Sequence, residues 1–288
     1  MNSHKFLARE KTLHLGETTV LMGILNITPD SFYKQSRIQN VESAIQTGLA
    51  MAQGGAKILD LGAESTRPGA VAVSFDEECG RLLPVLKELR AVTDVMISID
   101  TRKASVAQQA LNSGADIIND ISALADPSMA DVVANYNAGL TIMHMRGEPS
   151  TMQEHPSYSN VVSEVKTFLA TTVEKAESSG ISSKSIFIDP GIGFGKNTSH
   201  NLKLLKYLST FNELNKPILV GTSRKGFIGH LIGKDPNKRL FGTAASVAIA
   251  ILNGAHVVRV HDVLEMQDVA IISDAIRESS SVSRKPLP

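Results

Sequence analysis

The stretch LMGILNITPDSFYKQSR (residues 21–37) begins as a strand and ends as a polar loop. Val20 to Leu25 is an unbroken apolar run, the pattern of a strand covered on both faces. Asn26 ends it, and Pro29 with Asp30 turns the chain. Runs of the same kind recur at 57–62 (KILDLG), 95–100 (VMISID), 116–120 (DIIND), 140–145 (LTIMHM), 185–189 (SIFID), 217–223 (PILVGTS) and 256–261 (HVVRVH). Between them lie amphipathic stretches, among them Asp76–Arg90, Ser159–Ser178 and Leu240–Leu252. GGA, SGA and NGA at 54–56, 113–115 and 253–255 each place Gly where a helix gives way to a strand. Eight strands alternating with helices in about 250 residues predict an α/β fold, a TIM (β/α)8 barrel. A doubly wound open sheet is the rival arrangement. The preceding segment FLAREKTLHLGETTV predicts a β-hairpin with Gly16 in its turn.

The 288 residues carry 42% hydrophobic and 20% charged residues, ordinary proportions for a soluble globular chain. No linker or shift in composition divides them, so residues 1–288 are expected to form one domain, with a frayed Ser-rich tail from about 279. Lysines plus arginines equal aspartates plus glutamates at 29 each, which gives no global attraction to nucleic acid or an anionic membrane. The single cysteine, Cys79, excludes an internal disulfide and reads as a small filler on a helix. The opening MNSHKFLAREK lacks the apolar stretch of a signal peptide, and no apolar run approaches the roughly 20 residues of a membrane span. A cytoplasmic location is expected.

In a barrel of this kind the chemistry stands at the C-terminal strand ends. Those ends carry Asn26, Glu64 to Gly69, Asp100-Thr101-Arg102, Asn119-Asp120, His144-Met145, Asp189, Ser223-Arg224-Lys225 and Arg259-Val260-His261. Singly, Asp100, Thr101, Asn119 and Ser122 could be helix caps. Capping does not require Lys or Arg at such positions, however, and every end is polar. Two carboxylates and an Asn can grip a flat heterocycle through paired N–H donors. Arg67, Arg259, His261 and Asn26 offer donors to an anion such as phosphate. Together they suggest a heterocyclic phosphate ester whose phosphate leaves. DPGIGFGKN is neither a P-loop nor G-x-G-x-x-G, and reads as a glycine-rich loop that approaches a ligand closely or as a plain βα connection.

The segments GILNITPDSF, DLGAESTRPGA, SIDT, NDIS, MHMRG, DPGIGFGK, TSRKGF and VRVHDV, in this order from residue 23 to 263, resemble the dihydropteroate synthase family. The resemblance implies a barrel that joins 6-hydroxymethyl-7,8-dihydropterin diphosphate to 4-aminobenzoate, releasing pyrophosphate, with Mg2+ on the pyrophosphate and a homodimeric assembly. By position it implies that Asp189 and Asn119 hold the pterin's amino-pyrimidine edge, with Asp100 on the other side of the ring. Lys225 would donate to its carbonyl oxygen and ring nitrogen, Met145 and Phe194 would line the pocket, and Arg259 would stack on the ring. Asp100, Asp189, Lys225 and Arg259 are the expected catalytic set. Asn26, Thr66, Arg67, Pro68, Ser223, Arg259, His261 and Phe32 would serve pyrophosphate and aminobenzoate, Asn26 also as the metal ligand. Thr28–Arg37 would be a lid carrying Phe32. Here the chain departs from the family's Ser-Asp-Gly-Gly, having Tyr33-Lys34-Gln35-Ser36 instead, so a loop carboxylate has no counterpart. A methyltransferase of the methyltetrahydrofolate type and a non-catalytic pterin-binding barrel are the alternatives.

Overall fold

The computed structural model describes residues 2–27, 37–64, 73–148 and 151–279. Two short antiparallel strands, β1 (His4–Ala8) and β2 (Lys11–Leu15), precede a parallel sheet of eight. Its strands are β3 (Val20–Asn26), β4 (Ala56–Gly62), β5 (Met96–Asp100), β6 (Ile117–Asp120), β7 (Gly139–Met143), β8 (Ile186–Asp189), β9 (Leu219–Val220) and β10 (Val257–Val260). Neighbours from β3 to β8 pair in sequence order, and β10 lies between β9 and β3. A parallel bridge between Ile188 and Ile218 joins β8 to β9 and completes the ring. The helices are α1 (Arg37–Gln53), α2 (Phe75–Val92), α3 (Ala104–Asn112), α4 (Met129–Asn135), α5 (Val161–Ser178), α6 (Thr198–Lys206), α7 (Gly226–Ile232), α8 (Leu240–Leu252) and α9 (Val263–Glu278). The short α7 is additional to the one helix per strand of the repeat. The expected barrel is therefore present and the open sheet is not. No described helix is long and apolar enough to cross a membrane.

Period two along the strands divides the core. Outward-facing residues such as Leu59, Leu61, Ile97, Ile99, Ile118, Ile142 and Val258 pack with the helices in the larger cluster. Inward-facing Met22, Ile58, Met96, Ile117, Phe187, Leu219 and Val257 form a second cluster with Phe6, Ala8 and Leu15 of the hairpin. The hairpin thus plugs one end of the barrel, its Phe6 ring stacked on Phe187 at 3.8 Å between centroids. Two residues further along the same inward face stand Asp60, Ser98, Asn119, Asp189 and Arg259. An apolar floor consequently supports a polar layer.

Gly55, Gly114 and Gly254 follow helices with φ of 103°, 100° and 105°, the left-handed geometry expected of the GGA, SGA and NGA junctions. The hairpin turn differs from expectation. Ala8 pairs with Lys11, so Arg9 and Glu10 form the turn and Gly16 follows β2. Arg9 tolerates a φ of 55° because tertiary bonds hold it: its N–H donates to Asn137 O, and its guanidinium to Leu111 O and Ala115 O. Phe6→Ala is expected to destabilise the fold by about 3–5 kcal/mol through loss of the plug's central ring, read as a lower urea midpoint.

Candidate active site

The polar layer is organised by Asp60, which is wholly buried on β4. Its Oδ2 accepts from Asn119 Nδ2 at 3.1 Å and from Arg259 Nε at 2.6 Å. Arg259 in turn donates from Nη2 to Asp100 Oδ2 at 2.9 Å. One guanidinium therefore serves two carboxylates, from β4 and β5, while standing on β10. Because Asp60 takes a donor from Asn119, the Asn119 amide orientation is set and its Oδ1 keeps its accepting capacity. Asp60 Oδ1 and Asp100 Oδ1 are buried with no hydrogen-bond partner among the described residues. Buried acceptors of this kind await a donor.

Burial pushes the Asp100 carboxyl up to about 7, against the pull of Arg259, and the charge of Asp60 adds to the rise. A second buried carboxylate beside it favours the protonated form of Asp100. Across the mouth, burial also raises Asp189, opposed by Lys225 and by the Gly191 N–H. That N–H donates to Asp189 Oδ1 at 2.7 Å, leaving Oδ2 with the remaining accepting capacity. The Lys225 ammonium lies 4.5 Å from the Phe194 ring centroid and donates to Ile192 O. Burial brings Lys225 down to about 8.

The described residues among those expected from sequence fall at this end of the barrel. Asp100, Asn119, Asp189 and Arg259 stand within one residue of the end of β5, β6, β8 and β10, Lys225 follows β9, and Phe194 lies under Lys225. Ser223 and His261 form a separate pair: His261 N–H donates to Ser223 Oγ at 3.2 Å, and Ser223 Oγ lies 2.9 Å from His261 Nδ1. Asn26 is exposed at the end of β3. Met145 lines a rim cavity of about 380 Å³ with Arg102, Ile121 and Phe168. Thr66, Arg67, Pro68 and Phe32, and the lid from Thr28 to Ser36, lie outside the described residues; Arg37 opens α1.

Asp60 is absent from the residues expected from the strand ends because its strand runs on for two residues, to Gly62. Its signal was available: in KILDLG the inward positions are Ile58, Asp60 and Gly62, so a carboxylate interrupts an apolar face. Asp60→Asn preserves volume but removes the charge that holds Arg259. It is expected to weaken by tenfold or more the binding of the pterin that the sequence resemblance implies, about 1.5–3 kcal/mol for a hydrogen bond to a charged group, as measured by calorimetry.

Residues 22–261 match the family model described as "Pterin binding enzyme". The chain is 44% identical over 263 residues to the dihydropteroate synthase of Synechocystis sp., covering 91% of each. The solved dihydropteroate synthase of Xanthomonas albilineans with 4-aminobenzoic acid superposes with a TM-score of 0.89 at 40% identity, over 98% of this chain and 100% of that one. That of Burkholderia cenocepacia complexed with 7,8-dihydropteroate gives 0.87 at 37% identity, over 98% and 99%. With its barrel closed by β8 and β9 and its carboxylate layer at the strand ends, the chain belongs to the dihydropteroate synthase family of pterin-binding enzymes.

Proposed function

We propose that this barrel condenses 6-hydroxymethyl-7,8-dihydropterin diphosphate with 4-aminobenzoate to give 7,8-dihydropteroate and pyrophosphate, a step of folate biosynthesis. The observation that carries this reading is the convergence of Asp100, Asn119, Asp189, Lys225 and Arg259 above one apolar floor. Asp189 Oδ2 and Asn119 Oδ1 accept from the amino-pyrimidine edge of the pterin. The buried, unpartnered Asp100 Oδ1 accepts from the ring's other side. Lys225 donates to the ring carbonyl, and Phe194 and Met145 supply apolar contact. In the reaction the C–O bond to the diphosphate breaks with its electron pair leaving on pyrophosphate. The methylene carbon becomes cationic, and the neutral aromatic amine attacks it and then loses a proton to water. No general base is needed. Asp100 and Asp189 lower the barrier by standing, already fixed, where positive charge develops.

Asn26, Ser223 and His261 form the described part of the anion end, which Thr66, Arg67, Pro68 and Phe32 complete in this reading. Among the described residues no group of three or more His, Cys, Asp or Glu converges on a metal site. The exposed Asn26 amide oxygen is the donor that would hold a magnesium ion there, a hard oxygen ligand suited to this cation. The ion would supply charge neutralisation to the leaving group.

The assembly is a homodimer in this reading. Helix α8 carries no charged residue, and with α9 it exposes Phe241 (82%), Leu264 (63%), Ile271 (57%) and Ile272 (61%). Large apolar side chains left exposed on two helices that pack together support an association face. Ile272→Asp is expected to halve the mass measured by light scattering; a wild-type chain that is already monomeric contradicts this assignment.

Pyrophosphate release that requires both substrates, with dihydropteroate identified by mass, tests the activity; release from the pterin substrate alone, or none, contradicts it. The two shifted groups also give the reaction a pH signature. Asp100 gains its charge as pH rises through about 7, and Lys225 loses its charge through about 8. kcat/KM for the pterin substrate is expected to rise through the first value and fall through the second. Asp100→Asn should abolish the rising limb, and Lys225→Arg should carry the falling limb above the range of the assay.

A further inference from the structure

The glycine-rich loop after β8 is held together from within by Lys196. This side chain is 2% exposed. Its four hydrogen-bond partners are all uncharged: His144 Nδ1, Gly191 O and Phe194 O at 2.9 Å, and His144 O at 3.2 Å. A buried ammonium without a carboxylate bonded to it is costly. Burial drives Lys196 well below the usual lysine range and His144 down to about 3. His144 is accordingly neutral, with its proton on Nε2 and its Nδ1 accepting from the lysine.

The loop is unusual in how fully its carbonyls are engaged. Gly191 O and Phe194 O accept from Lys196, and Ile192 O from Lys225. Gly193 O accepts from Gln153 Nε2 at 2.6 Å, and Gly195 O from the Tyr158 hydroxyl at 2.9 Å. The alternating directions require left-handed backbone at Gly191, Gly193 and Gly195, with φ of 68°, 85° and 61°. A Cβ at Gly191 would meet His144 O at 1.8 Å, so the loop lies directly against the end of β7. Lys196 is the group that turns two of these carbonyls inward. It thereby places the Gly191 N–H that orients Asp189, and the Phe194 ring that lies under Lys225.

We infer that Lys196, seated on His144, is a positioning residue for pterin recognition: it touches no substrate and sets the geometry of Asp189, Phe194 and Lys225 through the backbone of residues 191–194. This rests on the pterin-binding reading above and adds to it a residue outside the ligand-contacting set. The aminobenzoate and pyrophosphate residues do not hang from this loop, so the effect is selective.

The test is steady-state kinetics of Lys196→Met, with circular dichroism to establish folding. KM for the pterin diphosphate is expected to rise at least tenfold while KM for 4-aminobenzoate stays within twofold. Lys196→Gln, one bond shorter but still a donor, is expected to recover at least threefold of the loss. A folded Lys196→Met enzyme with an unchanged pterin KM, or with both KM values raised equally, overturns the inference. Should Lys196→Met fail to fold, His144→Leu removes one of the four acceptors. A pterin KM raised two- to fivefold alone then supports the role, and an unchanged one overturns it. If the wild-type protein yields no dihydropteroate, the proposed reaction fails first. The positioning role is then read separately, from calorimetric binding of 6-hydroxymethyl-7,8-dihydropterin to wild-type and Lys196→Met protein, where equal affinity overturns it.

Discussion

Arg259 serves two carboxylates, Asp60 and Asp100, inside a closed barrel, and the remainder of the mouth is arranged around that sharing. Removing such charges from water costs several kcal/mol per ion unless the partners are well placed. Asp60 recovers part of this cost through two donors, Asn119 and Arg259, on strands that are not its sequence neighbours. In doing so it spans the ring from β4 to β6 and β10, and it dictates which atoms of Asn119 and Arg259 are left for a ligand. The consequence for Asp100 is a carboxyl that titrates near neutrality and an oxygen that has no protein donor. A ligand with ring N–H groups completes an arrangement that the protein alone leaves incomplete.

The arrangement depends on dryness as well as on charge. The hairpin's Phe6, Ala8 and Leu15 close the far end of the barrel with the inward residues of the strands. Electrostatic attraction in the layer above is stronger for lying on an apolar floor. On the opposite side of the mouth the backbone of residues 191–195 does what side chains do elsewhere, presenting one N–H to Asp189 and one carbonyl to Lys225. The two halves of the mouth are thus fixed by different means, an ion network on β4, β5 and β10 and a carbonyl-lined lysine between β7 and β8.

Much of this was legible in the sequence, because buried parallel strands leave a strong trace. Eight short apolar runs, with polar residues at or just after their ends, specify both the barrel and the end where chemistry occurs, and Asp100, Asn119, Asp189, Lys225 and Arg259 follow from reading those ends. What strand ends do not reveal is a group inside a strand or within a loop. Asp60 required inward and outward positions to be separated within KILDLG. Lys196 read as part of a loop because three of its four partners are backbone carbonyls, which every sequence possesses. The hairpin turn was placed at Gly16 on local conformational preference, whereas tertiary bonds to Arg9 decide it. Long-range compensation of that kind has no local signature.

The most direct test of the central claim is a crystal structure of the protein with 6-hydroxymethyl-7,8-dihydropterin. The account predicts the pyrimidine edge on Asp189 Oδ2 and Asn119 Oδ1, a ring N–H on Asp100 Oδ1, and the Asp60–Arg259–Asp100 bonds retained beneath the ring. A pterin bound away from these atoms, or a ring that displaces Arg259 from Asp60, would contradict it.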